Sequence, residues 1–262
     1  MPELIEVEQD EGLAIVRLNR PDKLNSLNMP MREQLVAAML SACSDPDVRA
    51  ILLTATGRGF CTGQDLAERD PAKLSGPPDL QQSLEQGLNP LVTAMRAAAK
   101  PIVGAVNGVA AGAGANLALA CDIVIAANSA RFIQSFTHVG LIPDAGGSWM
   151  LPHLIGEARA KAIALTGIPV TATDAVAMGM IWQAVADEEL QSSARDLALA
   201  LARGPTRGHA ETKRVIQAAA NNSLSTHLEL EAQIQGHCGR SADYAEGVSA
   251  FLAKRKPNYS GQ

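Results

Sequence analysis

The stretch PIVGAVNGVAAGAGANLALACDIVIAA, residues 101–127, decides the fold. Its length and apolarity would suit a membrane span, but Asn107, Asn116, Asp122 and four glycines interrupt the run. It divides instead into PIVGAV, a buried strand; NGVAAGAGAN, a glycine-rich turn; LALAC, a small-residue helix; and DIVIAA, a second strand. Strand, turn, helix and strand make a βαβ unit, which calls for a mostly parallel sheet packed against helices.

The same alternation extends outward. Upstream, AILLTAT (50–56) reads as another buried strand ending in a polar loop, GRGFCTGQDL (57–66). LIEVEQDEGLAIVRLN (4–19) alternates on either side of an Asp-Glu-Gly turn, the pattern of a β-hairpin. Asn28 ahead of Pro30 announces a helix through MPMREQLVAAMLSAC. After the break SGPPD, a helical pattern covers residues 80–98. From Ser148 onward the pattern is almost all helical, including TATDAVAMG, ending on Gly179, and TRGHAETKRVIQAAANN. The last helix, SADYAEGVSAFLAKR, opens on Ser241 or Asp243 as a cap and ends in cations that suit a helix C-terminus. The chain therefore reads as an α/β core over residues 1–200 and a helical region over 201–262.

Composition narrows the function. Hydrophobic residues at 47% and charged ones at 19% describe a globular protein, and aromatics at only 3% imply close backbone packing among Ala, Gly, Val and Leu. A net charge of −5 argues against a nucleic-acid surface, which needs clustered Lys and Arg, but leaves room for a small anionic ligand. Cys43, Cys61, Cys121 and Cys238 are widely separated, and the five histidines show no metal-ligand spacing. Free thiols in a reducing compartment and no metal are the expectation. MPELIEVEQDEG is acidic, unlike an export signal, so a cytoplasmic location is expected.

Three loops carry the chemistry. GRGFCTGQDL is either a surface turn or a loop presenting backbone N–H groups to a ligand. GVAAGAGAN lacks the dinucleotide fingerprint, because Leu117 stands where a glycine is required; it offers either close helix packing or free N–H donors at a helix start. In VGLIPDAGGSWMLP (139–152) one carboxylate, Asp144, lies among Ile142, Pro143, Ala145, Gly146 and Gly147, and is either a helix cap or a catalyst. Loops that follow parallel strands gather on one edge of a sheet, where two converging N–H donors would form an oxyanion hole.

NRPDKLNSLN, GRGFCTGQDL, AVNGVAAGAGANLALACDIVIA, GLIPDAGGSW and EGVSAFLAKRKPNY occur in that order, and together they resemble the crotonase, or enoyl-CoA hydratase/isomerase, superfamily over essentially the whole chain. The resemblance implies a spiral of ββα units with a helical C-terminal trimerisation region. It implies an acyl-CoA substrate, no cofactor beyond the coenzyme A the substrate carries, and a homotrimer or dimer of trimers, with neither nucleic acid nor membrane as partner. The oxyanion hole would be the N–H groups of Gln64 and Ala113. Lys23, Leu24, Thr62, Asp65, Leu66 and Phe136 would contact the substrate or its CoA, and Phe251 and Lys254 would reach CoA from a neighbouring subunit. Two glutamates that hydratases of the family use are replaced here by Asn116 and Phe136. An amide and a phenyl ring cannot activate water and deliver a proton, so hydration is not expected. Asp144 stands where isomerase branches carry their carboxylate, and Ile142, Pro143 and Phe136 around it should raise its pKa.

The expected function is isomerisation of a CoA thioester. FCTGQDL, GLIPDAGGSW, MGMIWQ and GRSADYAEGVSAFLAKR point to the phenylacetate-catabolic branch, which rearranges a ring epoxide to an oxepin; a 3-enoyl to 2-enoyl shift uses the same base. Two alternatives stand beside it: Asp144 as a nucleophile, as in the haloaryl-CoA dehalogenases of the superfamily, and a CoA-ester-binding protein without turnover.

Overall fold

The computed structural model describes residues 3–262, so Met1 and Pro2 of the acidic N-terminal stretch lie outside the described residues. β1 (Ile5–Asp10) and β2 (Leu13–Leu18) form the expected hairpin around Glu11 and Gly12, and α1 (Met29–Ser44) follows. Asn28 caps α1, its Oδ1 accepting the Met31 N–H at 3.0 Å. β3 (Ala50–Ala55) and β4 (Gly59–Cys61) come next, then α2 (Leu80–Ser83) and α3 (Asn89–Ala97), joined into one rod by a π-helical turn over Leu84–Leu88. The opening stretch becomes β5 (Ile102–Val106), β6 (Val109–Ala111), α4 (Ala113–Leu119) and β7 (Ile123–Ala127). β8 (Arg131–Ile133), α5 (Gly147–Ile155), α6 (Glu157–Thr166), β9 (Val170–Thr171), α7 (Ala172–Ala177) and β10 (Gln183–Val185) complete the core. Four helices finish the chain: α8 (Leu190–Ala202), α9 (Thr206–Ala219), α10 (Leu224–Cys238) and α11 (Ala242–Leu252).

Two sheets result. The larger has the order β1-β2-β3-β5-β7-β10, parallel throughout except for the hairpin; the smaller has the order β4-β6-β8-β9, with β4, β6 and β8 parallel. Each large-sheet strand β3, β5 and β7 is followed at once by a short small-sheet strand, so the chain spirals between the sheets as expected of the fold. Three readings of the sequence need correction. GRGFCTGQDL and NGVAAGAGAN are not simple turns, since β4 and β6 lie inside them, and the region after Ser148 contains β9 and β10 among its helices. Strands of two or three residues cannot display a period-2 pattern, and glycine beside them mimics a turn. Phe60 and Cys61 of β4 are nevertheless fully buried.

Small residues let helices lie close to the sheet. Ala194, Ala198 and Ala202, four apart on α8, are all buried to zero exposure and face the larger sheet. At the C-terminus Ser241 is the cap of α11, accepting the Tyr244 N–H at 3.0 Å. Asp243 is instead buried, its carboxylate accepting the Ser260 N–H at 2.7 Å and the Gly261 N–H at 2.9 Å, which pins the tail. No helix of the described residues is long and apolar enough to cross a membrane.

One ion pair fastens α9 to the core. Lys213 lies 2.9 Å from Asp122, with both side chains largely buried, and Asp122 also accepts the Ile102 N–H at 2.8 Å. Burial pushes the Asp122 carboxyl above its ordinary pKa, and Lys213 opposes that shift. Lys213→Met is therefore expected to leave a buried carboxylate without its cation and to cost about 3 kcal/mol or more. A denaturant titration should show a lower midpoint at unchanged slope.

Candidate active site

Because β4, β6 and β8 are parallel, the segments leaving their C-terminal ends emerge on one edge, and these carry Gln64, Ala113 and Asp144. The loops meet through residues that have no side chain. Gly63 has φ +80°, and a Cβ there would lie 3.0 Å from the Ala111 carbonyl oxygen and 3.3 Å from the Ala113 nitrogen. Gly112, with φ 53° and ψ −130°, occupies a backbone region open essentially to glycine alone. A Cβ on Gly114 would stand 2.2 Å from the Cys61 carbonyl oxygen, so the start of α4 is pressed directly on β4. Close packing and free donors thus describe the same place: among the described residues neither the Gln64 nor the Ala113 N–H is taken by a protein acceptor.

Gln64, Leu66, Ala113 and Asp144 line a single cavity of about 700 Å³. Further walls come from the segment between Pro77 and Leu91 and from an apolar rim at Val139, Leu141 and Ile142, the last 79% exposed. Asp144 is half-buried there. Its Oδ1 has no hydrogen-bond partner, and burial pushes its pKa up to about 6, opposed only by its own backbone N–H. The capping alternative fails, because α5 is capped by Gly146 and takes no side-chain bond at its start. What the turn uses is the Asp144 carbonyl, which accepts the Gly147 N–H at 2.8 Å and the Asn116 Nδ2–H at 2.8 Å. Ala145 (φ 47°) and Gly146 (φ 78°) both take left-handed backbone next to it, and for alanine that costs about 1 kcal/mol.

Asn116 is fully buried on α4 and acts as the bracket of this loop, its Oδ1 accepting from Gln134 Nε2 at 2.8 Å. A Cβ on Gly147 would lie 2.1 Å from Asn116 Nδ2, so α5 docks straight onto the amide. Asn116→Ala should leave the Gln134 amide and one lone pair of the Asp144 carbonyl without their partner and cost about 1–3 kcal/mol, measurable as a fall in Tm.

The other expected residues are distributed as follows. Phe136 is buried in the 3-10 turn Ser135–Val139, where its ring would lie 3.8 Å from a Cβ on Gly112. It backs that loop and is not among the residues that line the cavity. Lys23, Leu24, Thr62 and Asp65 gather around the Gln64 loop, outside the cavity. Thr62 donates its N–H (3.2 Å) and Oγ1–H (3.4 Å) to the Leu24 carbonyl. Asp65 caps the turn Leu66–Arg69 and is bridged by Arg20 at 2.6 Å, which holds its carboxyl below the usual range. Lys23 stands exposed beside this pair. Phe251, 82% exposed, and Lys254 lie at the end of α11 and are not brought to the cavity within one chain.

Some residues of the site escaped the sequence reading. Asn25, fully buried with φ 55°, accepts the Arg20 N–H at 2.7 Å and donates to the Thr56 (2.9 Å) and Gly59 (2.8 Å) carbonyls, clamping its loop to the start of β4. Arg32, Arg69, Asp70 and Ser83 also line the cavity. The only local signal was a cation, Arg32, next to the buried Met31 on α1. Burial pushes the Cys61 thiol up to about 12 and raises Cys121 as well, so neither is poised as a thiolate. No group of three His, Cys, Asp or Glu side chains is gathered as a metal site among the described residues.

Comparison with known proteins follows the geometry. The enoyl-CoA hydratase/isomerase family pattern matches residues 8–262. The chain is 49% identical to the 1,2-epoxyphenylacetyl-CoA isomerase of Escherichia coli over the full length of both. It is 47% identical, over 98% of each chain, to a Rhodobacter capsulatus protein described as an enoyl-CoA hydratase. Its backbone superposes with a TM-score of 0.92 on a Mycobacterium abscessus crystal structure described as an enoyl-CoA hydratase/isomerase, at 37% identity and covering 98% of this chain and 100% of that one. With a matched pattern spanning all but its first residues and a half-identical full-length relative, the chain belongs to the enoyl-CoA hydratase/isomerase family.

Proposed function

We propose that the protein is a CoA-thioester isomerase that converts ring-1,2-epoxyphenylacetyl-CoA to its oxepin, and that the same site shifts 3-enoyl-CoA to 2-enoyl-CoA. The observation that carries this reading is the cavity's half-buried carboxylate, Asp144, with a buried and unpartnered Oδ1, sharing its walls with two backbone N–H donors. The thioester C=O accepts the Gln64 and Ala113 N–H bonds. Asp144 removes the proton beside the thioester, the negative charge moves onto the carbonyl oxygen as an enolate, and each donor there is worth about 3 kcal/mol in the transition state. The acid form of Asp144 then returns the proton to a ring carbon as the ring expands, or to the γ-carbon of a straight chain. Nothing is oxidised or reduced, so a single base that takes and returns one proton needs no cofactor.

The same family contains hydratases, and the name of the Rhodobacter relative favours that activity. Asn116 supports the isomerase reading instead, because its amide is committed to the Asp144 carbonyl and to Gln134 and cannot hold a water for addition. Asp70, the other carboxylate of the cavity, is bonded to the Ala72 N–H at 3.0 Å and lies 3.5 Å from Lys73. Phe251 and Lys254 are proposed to complete the CoA site of a neighbouring subunit in a trimer or dimer of trimers, with the helices after residue 200 as the oligomerisation region, in the cytoplasm. The exposure of Phe251, Leu252 and Tyr244 on α11 supports that assembly.

Turnover of epoxyphenylacetyl-CoA against a straight-chain 3-enoyl-CoA, followed by ultraviolet absorbance, tests the function. Conversion of the epoxide with the higher kcat/KM is expected. Conversion of neither would leave a binding protein, and solvent 18O incorporated into Asp144 during turnover would make the carboxylate a nucleophile.

A further inference from the structure

Arg32 is buried in α1, 8% exposed, yet it is one of the residues that line the cavity. Its Nη1 donates to Ser83 Oγ at 2.6 Å and its Nη2 approaches the Met29 thioether at 2.8 Å. Arg69, also on the cavity wall, donates to the same Ser83 oxygen at 3.1 Å. Among the described residues neither arginine makes an ion pair. A guanidinium withdrawn from water is costly unless something electron-rich faces it, and a hydroxyl and a thioether are weak recompense. Ser83 accepts from two donors, which occupies both lone pairs of its oxygen and leaves its own proton to give away. Two cations and a hydroxyl therefore meet as a group with donors to spare, and Asp70, the carboxylate nearest in sequence, pairs with Lys73 and with neither arginine.

The backbone makes room for the cluster. The π-helical turn Leu84–Leu88 follows directly on Ser83, and within it Gly87 lies under the Arg32 side chain, where a Cβ would stand 3.3 Å from Nε. Leu80, Leu84 and Leu88 give this wall an apolar stretch that suits a hydrocarbon ring, and Gln81, its other polar residue, donates its Nε2–H to Glu85 at 2.8 Å. A patch of donors beside an apolar stretch is what an acyl group with one electron-rich oxygen on its ring would need.

We propose that Arg32, Arg69 and Ser83 form a specificity subsite that accepts an oxygen carried on the ring of the acyl group and selects oxygenated aromatic acyl-CoA thioesters over their hydrocarbon counterparts. This rests on the proposed function and deepens it, since the epoxide and the oxepin each carry one such oxygen. Sites built to hydrogen-bond a ligand oxygen penalise analogues that lack it, because the buried donors are then left unpaired.

Calorimetric affinities for 2-hydroxyphenylacetyl-CoA and phenylacetyl-CoA, neither of which requires turnover, test the subsite. The wild type is expected to bind the hydroxylated thioester at least about 10-fold more tightly, and Arg32→Met, Arg69→Met and Ser83→Ala should each pull that ratio toward one. Because the ratio is read, general damage that weakens both ligands alike leaves it unchanged and counts against the proposal. So does a wild-type ratio near one. Should Arg32→Met fail to fold, Ser83→Ala and Arg32→Lys carry the comparison. A ratio near one with epoxide turnover intact removes the subsite and spares the isomerase; a strong ratio without turnover does the reverse.

Discussion

Asp144→Asn is expected to lower isomerase turnover by about 10²–10⁴-fold, the usual worth of a positioned general base, while CoA-thioester binding and the fold persist. The amide keeps the shape of the side chain, and the loop is held by the Asp144 carbonyl, which the substitution does not touch. Since burial lifts the carboxyl to about 6, the wild type should show kcat/KM rising with pH through about 6 and level above about 7, where the base is ionised. The same shift predicts an effect on stability of opposite sense. The folded chain holds this proton more tightly than the unfolded one, so Asp144 favours folding at acid pH and that contribution is lost as pH rises from about 4 to about 6. At pH 7 its ionised form is a burden of at most about 3 kcal/mol, less for a half-buried group that water still reaches. Asp144→Asn should accordingly be no less stable than wild type at pH 7 and should lose that advantage near pH 4. Near-wild-type turnover, or a pH profile flat through 6, would remove Asp144 as the base.

How far the sequence foretold this arrangement depends on the physics of each element. β3, β5 and β7 are buried almost throughout, so they read as continuous apolar runs and were legible, while β1 and β2 were legible from their alternation about a turn. Asn28 and Ser241 were legible because capping is a local interaction over three residues. β4, β6 and β8 were not, being three residues each and stabilised by neighbours distant in sequence, although they aim all three site loops. Asp144 could not be separated from a cap by its own neighbours; what separates them is Asn116, 28 residues earlier, which takes over the support of the loop and frees the carboxylate. Arg32 and Ser83, 51 positions apart, show no pattern linking them until α1 and α2 meet. Motif order carried the family assignment where local chemistry left pairs of readings open.

Gly114→Ala should have a large structural effect for a single added methyl group. The new carbon would lie 2.2 Å from the Cys61 carbonyl oxygen and 2.7 Å from the Cys61 carbonyl carbon, atoms of a buried strand that cannot swing aside as a side chain can. α4 is buried along its whole length, so it can relieve the clash only by lifting off β4. Overpacking of this kind costs about 3 kcal/mol, and the gain in helix propensity, about 1 kcal/mol, does not offset it. Lifting α4 also moves the Ala113 N–H away from that of Gln64, so turnover should fall about 100-fold or more even in protein that remains folded, if each donor is worth about 3 kcal/mol. Gly76→Ala is the control: a Cβ there meets nothing within 4 Å, and stability should change by less than about 0.5 kcal/mol. A Gly114→Ala enzyme with native Tm and turnover would show that the two donors do not depend on the contact between α4 and β4. The predicted result instead makes the packing glycine and the proposed oxyanion donors a single requirement: for N–H groups from these two loops to meet one oxygen, the backbones that carry them must come as close as Gly63 and Gly114 allow.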